Sequence, residues 1–237
     1  MIPSSLSNLK NELRDKADPE KAKILRGFFK TGRGEYGEGD LFRGIKIPVL
    51  RKLAKNFQDL PRAGVQELLT SKFHEDRMLA LLLLMAHYAK ADDAGRKHIF
   101  ALYLGSTRYI NNWDLVDVTA PHIAGHYLMD KTREPLYCLA RSEMLWERRI
   151  AIIATFYYIR QNRFDDTLKI AGMLIEDPHD LMHKAVGWML REVGKRDLQA
   201  EEKFLKTNYR QMPRTMLRYA IERFPEAKRR KYLAGTM

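Results

Sequence analysis

Apolar residues recur three and four positions apart along nearly the whole chain, and no window alternates apolar with polar long enough to predict a strand. Leu6, Leu9 and Leu13 begin the series, and Pro19 opens a segment carrying Ile24, Leu25, Phe28 and Phe29. Further segments are expected to start near Pro48, Pro61, Glu75 and Asp92, near Asn112, Pro121, Thr132 and Trp146, and near Phe164, Pro178, Asp197 and Pro213. Each runs roughly 9–17 residues, with Pro, Asp-Pro or Gly near the joins. Helix-pair starts fall roughly 30–45 residues apart, the spacing of helical solenoids, although the letters themselves scarcely repeat. The pattern predicts an all-α fold, an α-α superhelix forming one domain over residues 1–237. The alternative is a compact irregular bundle.

Charge adds a statement about partners. Lys and Arg total 42 against 30 Asp and Glu, a net charge of +12. Such an excess favours polyanions, with solubility alone as the plainer explanation. Cys138 is the only cysteine, so no intramolecular disulfide can form, which fits a reducing compartment. The first ten residues lack a basic-then-apolar signal pattern, and the longest apolar run, Met78 to Ala86, is too short to span a bilayer. The expectation is a cytoplasmic protein with no membrane contact.

Several motifs carry little chemistry. Gly32, Gly34 and Gly37 spell G-x-G-x-x-G inside a glycine-rich stretch, 31–40. A dinucleotide site needs a strand before that motif, whereas here a basic helix precedes it. The stretch reads as a loop carrying Lys30, Arg33 and Tyr36 towards a ligand, or as a plain connector. His122/His126 and His179/His183 have zinc-compatible spacing, but neither pair has the Glu of H-E-x-x-H, so no metal is expected. Nucleophile motifs for acyl transfer are absent. Arg210, Arg214 and Arg218 would form a stripe suited to phosphates if the helix continued across Pro213; otherwise they are a solvated face.

Three segments combine an aromatic residue, a charge and apolar neighbours. They are Trp113-Asp-Leu-Val-Asp117, Trp146-Glu-Arg-Arg-Ile-Ala-Ile152 and Lys184-Ala-Val-Gly-Trp-Met-Leu-Arg-Glu192. On a helix, Trp113 and Asp117 share a face one turn apart. A carboxylate beside an indole suits a reaction that develops positive charge. Taken alone, each tryptophan is more often packing than function, and an Asp–Arg pair between helices can be a structural bridge.

In this order and at these separations, the segments resemble the AlkD-like DNA alkylation repair family, DNA glycosylases built from HEAT-like repeats. Pro19-Glu-Lys-Ala22 and Gly44-Ile-Lys-Ile-Pro48 look like the family's early segments. The resemblance implies a HEAT-like-repeat solenoid with a basic concave face for duplex DNA. It implies excision of cationic alkylated purines, 3-methyladenine and 7-methylguanine, without a cofactor, by a chain that can work as a monomer. Carried over by motif, Asp117 is the expected catalytic carboxylate, Arg149 a backbone-contacting or carboxylate-positioning cation, and Trp113 and Trp188 contacts to the lesion's sugar and backbone. The expected DNA-contacting set is Phe28, Lys30, Arg33, Lys46, Lys184, Arg191, Arg210, Arg214 and Arg218.

The chain departs from the family's pattern in its early region. Asn112 stands where a second tryptophan is common, Phe28 where a tyrosine is common and Lys46 where a glutamine is common. The stretch 31–40 looks like an insertion. Relatives altered there can bind damaged DNA poorly. A non-catalytic DNA-binding or damage-sensing solenoid is therefore the alternative to the glycosylase, and a scaffold for acidic proteins is a further one.

Overall fold

A computed structural model describes residues 5–237, and among them the fold is all-α. The only extended pairing among these residues is an isolated parallel bridge between Leu41 and Phe73. The chain divides into two compact units, the first reaching Leu115 and the second running from Val116 to Met237.

The first unit contains α1 (Leu6–Asp15), α2 (Pro19–Phe28), α3 (Ile47–Asn56), α4 (Arg62–Leu69), α5 (His74–Lys90) and α6 (Asp93–Leu104). Ser5, Asp18 and Asp92 cap α1, α2 and α6 by accepting backbone N–H groups in the first turn, and Pro19 stands where no amide is needed. The core helix is α5, against which α3, α4 and α6 pack. Met78 to Leu84 of α5 are all buried, so this helix is apolar all round rather than striped.

Gly44 has φ +83°, and a Cβ there would lie 2.1 Å from the Asp18 carbonyl oxygen. Only glycine lets this strand of backbone run so close to the start of α2. The carboxylate of Glu75 accepts N–H bonds from Arg43, Gly44 and Ile45, fixing the same turn from the α5 side.

The division between units falls inside α7 (Trp113–Thr119). The second unit continues with a π-helical turn at Pro121–Gly125, then α8 (His126–Leu128), α9 (Glu134–Ala140), α10 (Leu145–Ala154), α11 (Phe156–Arg160) and α12 (Asp165–Met173). It ends with α13 (Asp180–Gly194), α14 (Leu198–Asn208), α15 (Arg214–Ala220) and α16 (Glu226–Ala234). Here α10 packs on α13 and α13 on α15, while α9 packs on α10 and α12. Helices α10 and α13 thus each meet sequence neighbours and a helix further along the chain, the contact pattern of stacked helical repeats. A Cβ on Gly187 would sit 2.4 Å from the Met216 carbonyl oxygen, so this glycine is what lets α13 and α15 approach.

Most expected helix starts lie within two residues of the observed ones. The single helix expected from Trp146 is interrupted at Thr155, and α16 was not expected. The arginine stripe is corrected: α14 ends at Asn208 and α15 begins after Pro213, whose extended backbone (ψ 143°) separates the two. Arg210 therefore lies in the turn, and Arg214 and Arg218 alone share a helix.

Candidate active site

Three helix starts are built by one device at fixed offsets. Ser142 accepts the Met144 N–H (3.0 Å), its hydroxyl donates to Glu147, and its carbonyl accepts from Arg148 (2.9 Å). Ser71 repeats this with Phe73 (3.2 Å), Asp76 (2.8 Å) and Arg77 (2.9 Å). Asp177 holds the His179 N–H (2.9 Å), and its carbonyl accepts from His183. Residues two and six positions on are thus used alike each time. The anchor brings the residue seven positions on to the fifth place of its helix: Met78, Arg149 and Lys184. Asp117 and Arg218 hold the fifth place in α7 and α15.

Arg149 reaches from α10 to Asp117, with Nε and Nη2 each donating to a different carboxylate oxygen at 2.9 Å. Its Nη1 donates to the Leu181 carbonyl at the start of α13 (2.6 Å). The arginine side chain is 6% exposed and that of Asp117 17%. Such a fork fixes the carboxylate plane. Pro121 and the π-helical turn follow directly after α7, an irregularity frequent beside functional sites.

Trp188, half-buried on α13, donates its indole N–H to Glu192 (3.1 Å) and lies beside Phe156, ring centroids 5.6 Å apart. Glu192 also takes Lys195 (2.6 Å) and Arg191, and Arg191 bonds Glu222 as well. Lys184 pairs with Asp180 one turn earlier (2.7 Å). Arg214 donates to the Leu233 carbonyl, Arg210 to the Tyr209 hydroxyl (3.1 Å), and Arg218 is exposed.

In the first unit, Trp113 is half-buried and stacks on Phe29 (5.5 Å, 28°), with Phe28 edge-on (6.0 Å, 67°). Phe28 is 60% exposed. Lys30, Arg33 and Lys46 are exposed, Lys30 with φ 52°. In the glycine-rich stretch the Gly32 and Gly34 amides are already taken by the carboxylates of Glu35 and Glu38, both at 2.8 Å. The amides a nucleotide phosphate would need are therefore occupied from within. No group of three or more metal-ligating side chains occurs among the described residues, and no helix among them is long and apolar enough to cross a membrane.

One polar cluster escapes the motif reading. His74 lies between Asp40 (Nδ1, 3.4 Å) and Asp114 (Nε2, 2.9 Å), while Arg77 holds Asp40 through both oxygens (2.8 Å) and Asn111 donates to it (3.0 Å). Burial opposes a charge on His74, but the bonds to Asp114 and Asp40 outweigh it and raise its pKa to about 9. Burial also works against charge on Asp40, yet His74, Arg77 and Asn111 together hold its carboxyl below the usual carboxylate range. The only sequence signal is the Ser71/Arg77 spacing repeated at Ser142/Arg148.

Comparison with known proteins agrees with this architecture. The family described as DNA alkylation repair enzyme matches residues 9–224. Among solved structures, a predicted DNA alkylation repair enzyme from Enterococcus faecalis is 17% identical, with a TM-score of 0.68 over 89% of this chain and 98% of that one. AlkD2 from Streptococcus mutans is 19% identical, with a TM-score of 0.53 over 93% and 97% of the two chains. A second Streptococcus mutans protein, smu.31 of strain UA159, is 18% identical, with a TM-score of 0.52 over 93% and 99%. At these identities the likeness is one of fold. No curated protein matches the sequence.

Proposed function

Because the chain belongs to the DNA alkylation repair enzyme family, whose membership supports a role in repairing alkylated DNA, we propose that it is a DNA glycosylase releasing cationic alkylated purines from duplex DNA. The family match crosses both compact units, and we take them to serve one function. The observation that carries the reading is the Asp117 carboxylate, held flat by Arg149 and still partly exposed.

An alkylated purine such as 3-methyladenine or 7-methylguanine already carries positive charge, so the base needs no proton to leave. The bond from C1′ to the base nitrogen breaks, its electron pair neutralises the departing base, and positive charge develops on the sugar. Asp117 is the counter-ion to that charge, and a preorganised anion is most effective where water is scarce. Water then adds to C1′ and loses a proton towards the carboxylate, leaving an abasic sugar. Only the sugar cation is shared with two-carboxylate glycosidases, since no acid is required for the leaving group.

Arg149 orients Asp117 and partly shields it from phosphate repulsion. Trp188 and Trp113 offer ring faces that attract cationic groups. Lys184 and Arg218 occupy the same helical place as Arg149, and with Arg191, Arg210 and Arg214 they supply charge for the phosphate backbone. Lys30, Arg33 and Lys46 would do so from the first unit, and Phe28 would give an apolar contact.

Incubation with methylated duplex DNA, followed by separation of free bases, tests the proposal. Release of 7-methylguanine or 3-methyladenine, with none of uracil from a uracil-containing duplex, is the expected result. Binding of duplex without release of any base would replace the glycosylase with a damage-sensing protein of the same fold.

A further inference from the structure

His74 opens α5 and is almost wholly buried, yet it sits among the first unit's aromatic rings rather than in its aliphatic core. Its ring lies 4.8 Å from both Phe29 and Phe42, and Phe29 in turn stacks on Trp113. Each ring nitrogen faces a carboxylate, Asp40 on one side and Asp114 on the other. A neutral imidazole has one N–H and would set a lone pair against one of those acids. Only the imidazolium can donate to both. The charged groups facing it are Asp40, from the segment before α3, Asp114 of α7 and Arg77 of α5 itself.

Asp114 follows Trp113 directly and lies in the first turn of α7. The Nε2 bond therefore fixes the backbone beside the indole, while Phe29, packed on the imidazolium, supplies the surface on which the indole rests. The Trp113 N–H donates to the Oδ1 of Asn112 (2.9 Å), a second tie on the same turn of backbone.

We propose that His74 is the positioning residue for Trp113: a doubly donating imidazolium that clamps the first turn of α7 to α5 and seats the indole on Phe29. This deepens the functional reading above and rests on it. His74 itself touches no DNA, and a loss of its charge would act on base release only through the indole.

The test follows the ¹⁵N-indole resonance of Trp113, assigned by W113F, between pH 7 and 10 in the intact protein and in H74Q. The proposal expects that resonance to titrate with a midpoint near 9 in the intact protein and to lose that titration in H74Q. H74Q should also release alkylated base roughly tenfold more slowly at saturating DNA with KM nearly unchanged, the loss expected from a slightly misplaced contact. D114N, which alters only the Nε2 side, should shift the same resonance. A Trp113 signal that does not move over this range, or moves identically in H74Q, overturns the proposal. If H74Q does not fold, the titration of the intact protein decides alone. If the intact protein releases no base, the glycosylase reading falls while the indole titration still decides the role of His74.

Discussion

The two units start a central helix in the same way and then use it differently. Ser71 and Ser142 hold the same three groups at the same offsets, so α5 and α10 enter their units in equivalent register. At the fifth helical place α5 carries Met78, fully buried, whereas α10 carries Arg149. At the second place the first unit has Glu75, which ties down the backbone of Arg43 to Ile45, and the second has Trp146. One copy of the device therefore closes a core, and the other projects a guanidinium onto a partly open carboxylate. The two copies differ in two side chains on a shared frame.

Exchanging those side chains gives the largest expected effects. M78R would bury a guanidinium with no partner, and a loss of more than about 4 kcal/mol of stability is expected. Chemical denaturation would show it, and a folded M78R of near-native stability would mean that the two positions are not equivalent. R149M leaves Asp117 without its fork, at a cost of about 3 kcal/mol, together with a drop in base release of about 100-fold or more. The double variant D117L/R149M separates the two effects: stability should return towards that of the intact protein while activity stays absent. Activity persisting in the double variant would show that the pair is only structural.

Removing the shared anchor is a smaller perturbation. S71A and S142A should each lose about 1 kcal/mol, the usual worth of a lost cap, measured as a lower denaturation midpoint. Unequal losses would show that the repeated hydrogen bonds are not equally important.

The units also differ in how a buried titratable group responds to pH. His74 has a folded pKa of about 9, above its ordinary 6.5, so its contribution is fully present below pH 6.5 and lost as pH rises through 9. In the second unit Glu201 is raised to about 8 by burial and by neighbouring Glu202, against a weaker pull from Arg191, and its Oε1 has no hydrogen-bond partner. Its penalty is absent below 4.5 and grows until pH 8, again a loss of stability with rising pH. In the first case a wanted proton leaves; in the second an unwanted charge appears. E201Q should therefore raise the melting temperature at pH 8 more than at pH 5, and H74Q should flatten the loss near pH 9. Reversal of the E201Q difference would contradict the burial argument. The smallest effects are expected at the outer cations: K184Q or R218Q should each lower the salt slope of DNA affinity by about 1, for all sequences alike.

Much of this was legible in the chain. Prolines and aspartates mark helix starts because one lacks an amide and the other caps free amides, so Pro19, Asp92 and Asp197 declare their helices. Asp117 and Arg149 could be named from motif, and the structure joins them directly. The break at Thr155 was not readable, because apolar periodicity continues across it. The stripe through Arg210 depended on a helix continuing across Pro213, and that condition fails because the chain turns between Asn208 and Arg214. The cluster around His74 joins residues up to 71 positions apart, and no local pattern announces such a contact.

The most direct measurement of the central claim is single-turnover release of 7-methylguanine by the intact protein and by D117N, with duplex affinity determined in parallel. The account predicts a rate lower by roughly 100- to 1,000-fold in D117N at nearly equal affinity, as for loss of a group that acts on transition-state charge. Equal rates, or a loss that merely follows weaker DNA binding, would contradict it.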